Sequence, residues 1–127
     1  MNADQLCRQY LDALEESDLG AVTGLFTADG KVVSPLYGEQ PADQFYAALF
    51  GDTSRSQTQL IRVLNRPAPD AAIALHFAYR WTLANGETVD FEVVDMLEMV
   101  DDGRIAKLTI LYDTAPLRAA HEKSRRR

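Results

Sequence analysis

The run Asp90-Phe91-Glu92-Val93-Val94-Asp95-Met96-Leu97-Glu98-Met99 decides how this chain folds. Read as a β-strand, its side chains alternate between two faces. Phe91, Val93, Leu97 and Met99 share one face. Asp90, Glu92, Val94, Met96 and Glu98 share the other. Asp95 falls among the apolar residues, between Val93 and Leu97. A carboxylate there is costly unless it is protonated or hydrogen-bonded. Two readings follow from the strand alone: a buried acid, or a local bulge that turns Asp95 outward.

The flanking turns bear on that choice. Upstream, Ile73, Leu75, Phe77, Tyr79, Trp81 and Leu83 alternate with Ala74, His76, Ala78, Arg80 and Thr82, and Asn85-Gly86 signals a hairpin. A two-residue turn would set Trp81 against Asp90 and mix the faces. Keeping apolar against apolar requires a three-residue loop or a bulge, with Phe77 opposite Asp95. Downstream, a two-residue Asp102-Gly103 turn pairs Asp101 with Arg104, Met99 with Ala106, Leu97 with Leu108 and Asp95 with Ile110. Ala106, Leu108, Ile110 and Tyr112 then continue the apolar face. Both turns leave Asp95 inside a curved antiparallel sheet, between Phe77 and Ile110.

The rest of the chain supplies helices to cover that sheet. Residues 3–16 place Ala3, Leu6, Cys7, Tyr10, Leu11 and Leu14 on one helical stripe. Ser17-Asp18 breaks it and caps a second helix running to about Thr27. Lys31–Ser34 reads as a short strand stopped by Pro35, and Leu36–Gln40 as a loop. Pro41 opens a third helix to Phe50, with Phe45, Tyr46 and Leu49 inward. A polar connection and a strand over Gln59–Leu64 lead to the hairpins. The element order is ααβαββββ, an α+β domain with a cavity between helices and sheet as its natural ligand site.

Composition narrows the function classes. The 127 residues, 46% hydrophobic and 25% charged, suit one globular domain that buries roughly two-thirds of its unfolded surface. The net charge is −6, but the ten residues from Arg118 hold five basic side chains against Glu122, so the rest carries −10. An acidic body argues against nucleic acid as a partner. The basic end, 118–127, reads as a solvated tail after a domain spanning 1–117. No apolar run is long enough for a membrane span, and the expected setting for a lone Cys7 is a reducing cytoplasm. One Cys and the distant His76 and His121 offer no metal-ligand spacing. Nothing in the sequence calls for a cofactor. Val94, Met96 and Ala78, apolar residues on the outer sheet face, suggest a homodimer seam.

Several stretches together resemble the nuclear transport factor 2-like fold, and within it the steroid Δ-isomerases and SnoaL-like proteins. Arg8–Leu14 followed by Ser17-Asp18-Leu19 is similar to the isomerase first helix and its break. Leu25-Phe26 and Val32-Val33-Ser34-Pro35 resemble its second helix and first strand. Phe45-Tyr46-Ala47 resembles its third helix, and Val94-Asp95-Met96 through Gly103 its fourth-to-fifth strand hairpin. The resemblance implies a cone of three N-terminal helices packed on the sheet. It also implies an oxyanion hole formed by Tyr10 and a protonated Asp95, with Tyr46 supporting Tyr10.

The substrate so implied is a flat apolar ketone, steroid- or polyketide-like, against walls of Phe77, Tyr79, Trp81, Val93, Ile110 and Tyr112. One departure matters for mechanism. The family's general base is an Asp directly before the first-strand Pro, and here that position is Ser34, which cannot take a proton from carbon at neutral pH. The alternatives are a SnoaL-like cyclase, a binder without catalysis, and a dimeric interaction protein of the same fold.

Overall fold

The computed structural model describes residues 1–126. A six-stranded sheet in the order β2-β1-β6-β5-β4-β3 forms its frame. The strands are β1 (Phe26–Ser34), β2 (Gly38–Pro41), β3 (Thr53–Arg66), β4 (Ala72–Leu83), β5 (Thr88–Met99) and β6 (Ile105–Leu111). Three helices come early, α1 (Ala3–Glu16), α2 (Leu19–Thr23) and α3 (Ala42–Gly51), and α4 (Ala115–Arg125) ends the chain. The α+β architecture, with N-terminal helices on a curved sheet, is the expected one. The sheet is mixed, however: β1 runs parallel to β6, with Val32 beside Leu108, and only the other pairs are antiparallel.

Local chemistry fixes the helices. Asn2 and Gln5 close a reciprocal capping box at the start of α1, which buries Leu6, Cys7, Tyr10, Leu11 and Leu14. Ser17 ends it in the left-handed region, and Asp18 caps α2 through the Ala21 N–H. The second helix is shorter than expected and stops at Thr23. Ala28-Asp29-Gly30, just past the expected end of that helix, forms an irregular part of β1, where a side chain at Gly30 would come within 2.9 Å of the Phe26 ring. Leu36–Gln40 is likewise more ordered than a loop, since Gly38–Pro41 folds back on β1 as β2. The polar stretch after Gly51 belongs to β3, an edge strand that need not show alternation.

The central strands alternate as expected. Ile73, Leu75, Phe77, Tyr79, Trp81 and Leu83 are buried on one face of β4. Their register differs from the expectation: Leu75, not Phe77, lies opposite Asp95, and Phe77 faces Val93. The loop is three residues long, but Leu83 and Glu87 close it, with Gly86 at φ +90°. That places the turn one residue earlier on each strand's count and shifts the pairing by two, so every side chain keeps its face. In the second hairpin Leu97 faces Leu108 and Asp95 faces Ile110, as expected. A bulge after Glu98 then sets Met99 against Ile105 rather than Ala106. Gly103, at φ +86°, completes a three-residue turn closed by Val100 and Arg104. Ile105 is thereby fully buried.

The C-terminal end corrects the reading of a solvated tail. Pro116 lies in the first turn of α4, and Leu117, Ala120, His121 and Ser124 are its buried face. Arg127 lies outside the described residues.

Candidate functional site

The cavity between the helices and the inner sheet face brings together residues distant in sequence. Tyr10 reaches it from α1, Ser34 from the end of β1, and Asp95 from the middle of β5. The expected walls, Phe77, Tyr79, Trp81, Val93, Ile110 and Tyr112, all line it. Tyr46 does not; it stands behind Tyr10, with the two hydroxyls 2.8 Å apart. Leu14, Phe45 and Leu49 from the helices, Leu36 and Tyr37 from the β1–β2 turn, and Leu117 from α4 complete the lining. About 40 Å³ of it is open to the centre of a water molecule, within about 440 Å³ of unfilled space that runs out to solvent.

Asp95 is the only acid on these walls and is 1% exposed. Its Oδ1 has no hydrogen-bond partner among the described residues. Burial pushes its carboxyl from the ordinary 3.8 up to about 8, and the Tyr10 hydroxyl nearby restrains the rise. Asp95 is therefore mostly neutral at pH 7. Burial also raises Tyr10 and Tyr46 well above the usual phenol range, with Asp95 and their mutual contact adding to the effect on Tyr10.

Several of the other polar tips along the walls already have protein partners. The Tyr79 hydroxyl lies 2.7 Å from Ser56 Oγ, and Trp81 Nε1 donates to Thr53 Oγ1 at 2.7 Å. Their rings thus face the cavity with the polar ends tied elsewhere. Burial pushes Tyr112 up to about 12, against the pull of the Ser34 hydroxyl beside it. Ser34 Oγ accepts the N–H groups of Leu36 and Tyr37, both at 3.1 Å. Its visible work is to hold the Ser34–Tyr37 turn at the rim of the cavity.

That rim holds a cluster absent from the sequence-based expectations. Tyr37 donates to Asp52 Oδ2 at 2.6 Å, and His121 Nε2 lies 3.0 Å from the same oxygen. His121 also stacks on Trp81, its ring centroid 6.0 Å away. Burial alone would raise the Asp52 carboxyl, but the hydrogen bonds from Tyr37 and His121 hold it below the usual range. The cluster ties α4 to the body across 69 residues of sequence. The one sequence signal for it is the apolar spacing of Leu117, Ala120 and His121 after Pro116, which the surrounding arginines obscure.

An apolar pocket inside a cone of helices on a curved mixed sheet defines the nuclear transport factor 2-like class. The chain belongs to the SnoaL-like domain family, which it matches over residues 7–108. No curated protein matches it in sequence. Several solved structures share the fold. A hypothetical protein of ketosteroid isomerase-like fold from Catenulispora acidiphila, in complex with trimethylamine, superposes with a TM-score of 0.78 at 13% identity, covering 95% of each chain. SalBIII, an epoxide hydrolase/cyclase-like enzyme of pyran ring formation in the polyether salinomycin, gives 0.75 at 12% identity, over 90% of this chain and 92% of its own. TerC, co-crystallised with polyporic acid, gives 0.75 at 16% identity, over 97% and 98%. Among the described residues, no helix is long and apolar enough to cross a membrane.

Proposed function

We propose that the cavity binds a flat, apolar ketone, steroid- or polyketide-like, whose carbonyl oxygen accepts hydrogen bonds from Tyr10 and from neutral Asp95. The observation that carries this reading is Asp95 itself: a fully buried acid with an unpartnered oxygen, on walls that apart from Ser34 are aromatic or aliphatic. A neutral carboxylic acid is a good donor, and donors aimed at a developing enolate are worth most where water is excluded. Either hydroxyl of the Tyr10–Tyr46 pair can donate; when Tyr46 donates to Tyr10, the Tyr10 proton is free to point into the cavity. Tyr46 is thus a positioning residue, and Phe77, Tyr79, Trp81, Val93, Ile110 and Tyr112 are the substrate walls.

On this reading the chain lacks the group that moves the proton. Ser34 stands where the related isomerases keep a carboxylate, and its oxygen is occupied by two backbone N–H groups. General-base catalysis contributes about a hundred- to ten-thousand-fold, so isomerisation of a 3-oxo-Δ5-steroid should be feeble. Ser34→Asp should raise that rate measurably, and Tyr10→Phe should erase most of the gain.

The raised pKa of Asp95 favours a second reading, a cyclase of the SnoaL-like kind. A carboxyl that titrates near 8 can itself give and take a proton at neutral pH. Calorimetric titration with a phenolic steroid analogue decides whether the cavity takes such ligands. Saturable binding weakened by Tyr10→Phe is the expected result. Absence of binding to wild type would remove both readings and leave a dimeric interaction protein. If the ligand binds yet wild type and Ser34→Asp show equal, near-zero isomerisation, the isomerase chemistry is refuted and binding alone stands.

A further inference from the structure

Five of the thirteen basic residues fall in the last ten positions, and three of them, Arg118, Arg125 and Arg126, line a groove beside the cavity. An open groove of about 370 Å³ runs along the outside of α4, lined by Leu36, Arg118, His121, Glu122, Arg125 and Arg126. Leu36 also lines the cavity, and Leu117, next to Arg118, closes it. The groove and the cavity thus meet across one rim. Arg118 Nη2 donates to the carbonyl of Pro35, within the Ser34–Tyr37 turn, at 3.2 Å. Among the described residues, no carboxylate lies within ion-pair distance of Arg118, Arg125 or Arg126. Glu122 is the only acid in the groove and leaves a net positive charge.

Helix electrostatics explain only part of this arrangement. Lys123 and Arg125 sit in the last turn of α4, where cations complement the helix dipole. Arg118 sits in the first turn, where the dipole opposes a cation. The fields of Arg118 and Arg125 also reach the walls of the mouth: the first opposes the rise of the Tyr112 pKa, the second that of Tyr37.

We infer that the cavity's ligand carries an anionic group, a carboxylate or a phosphate, at the end that leaves through the mouth, where Arg118 with Arg125 and Arg126 receives it. The inference rests on the reading that the cavity takes an apolar carbonyl compound. It adds to that reading a substrate class, an apolar ring system with an acidic tail, and an orientation, carbonyl inward and anion outward. Arginine suits the task because its guanidinium can present two parallel donors to either anion.

A matched series tests it: 4-hydroxybiphenyl, 4′-hydroxybiphenyl-4-carboxylic acid and 4′-hydroxybiphenyl-4-yl phosphate, titrated calorimetrically into the full chain. The phenol stands for the inward oxygen, and the two acids identify the anion. An exposed charge contact contributes up to about fivefold in affinity. One or both acids should therefore bind wild type about five- to tenfold more tightly than the phenol at low salt. The ratio should fall towards one near 1 M salt, where charges are screened beyond about 3 Å. It should also fall towards one in Arg118→Gln/Arg125→Gln, and largely survive in Arg118→Lys. If the phenol binds and neither acid binds better, the acidic tail is refuted while the cavity reading stands. If the ratio is high but unchanged in the double variant, the anion sits elsewhere and the groove is refuted. If none of the three binds, the cavity reading fails and takes this inference with it.

Discussion

Replacing Asp95 with asparagine should change how stability depends on pH more than it changes stability at any one pH. The carboxyl titrates at about 8 in the folded chain against an ordinary 3.8, because burial disfavours its charged form. A folded pKa raised above the unfolded value means that the unfolded chain releases the proton first. Stability is then full below about pH 4 and declines as pH rises from there to about 8, above which both states are ionised. At 1.36 kcal/mol per pH unit, the window from pH 5 to 7.5 accounts for about 3 kcal/mol. An asparagine side chain has no proton to lose, and its amide keeps the shape. The quantity to measure is therefore the difference in unfolding free energy between wild type and Asp95→Asn, from urea titrations at both pH values. Other groups cancel in that difference, including Asp52, whose lowered pKa acts in the opposite direction. The expected result is that the variant gains about 3 kcal/mol on wild type between pH 5 and 7.5. A difference that stays constant across that range, or a carbon-13 carboxyl titration with its midpoint near 4, would refute the buried-acid account.

The outer sheet face and the rim give two more expectations. Met96 and Leu111 stand 37% and 53% exposed on β5 and β6, with Leu64 at 62% on β3, and we propose that this face pairs two copies of the chain. Met96→Glu should then sediment as a monomer in analytical ultracentrifugation; wild type already monomeric at micromolar concentration would exclude the pairing. Ser34→Ala removes the acceptor for the Leu36 and Tyr37 N–H groups and should cost about 1–2 kcal/mol, a few degrees in Tm. Thermal unfolding indistinguishable from wild type would show that the turn holds without its hydroxyl.

What the sequence disclosed follows from where each interaction is encoded. The face of Asp95 was legible because alternation is local and survives any even slip in register. Its neighbour across β4 was not, since choosing Leu75 over Phe77 required knowing that Leu83 and Glu87 close the loop. The Glu98 bulge was hidden for a related reason: Ile105 and Ala106 are both acceptable on an apolar face, and only packing selects between them. The parallel β1–β6 pair joins segments some 75 residues apart with no turn between them to announce it. The Tyr37–Asp52–His121 cluster is equally non-local. Each member alone reads as an ordinary loop or surface residue, and α4 hides its apolar positions among arginines. The sheet and helix residues that line the cavity were legible as inward-facing, whereas Leu36, Tyr37 and Leu117 were not; what they do there is the proposal.

The disposition of polar atoms around the cavity separates a packing role from a binding role. Tyr79, Trp81 and Tyr37 each send a polar tip into the protein, to Ser56, Thr53 and Asp52, and the Ser34 oxygen is taken by its own turn. These are the arrangements expected of aromatic core residues, and they leave rings and methyl groups facing inward. Asp95 departs from the pattern, because its open oxygen lies where a leucine or valine would pack without desolvation cost. The departure is costly at neutral pH, which a position of purely structural use has no reason to retain. Tyr10 is intermediate, satisfied by Tyr46 yet able to donate elsewhere if Tyr46 supplies the proton between them. A carbonyl oxygen placed between Tyr10 and Asp95 would satisfy both at once, without introducing a charge into the apolar site. The small open volume sets the remaining condition. About 40 Å³ holds only a few waters, so a ring-sized ligand must displace them and widen the cavity towards its mouth. The groups at that mouth are Leu36 and Tyr37 on the Ser34 turn and Leu117 on α4, held by side-chain hydrogen bonds rather than by sheet pairing. On the proposed reading, the sheet-built deep end of the cavity orients the ligand and the rim yields to admit it.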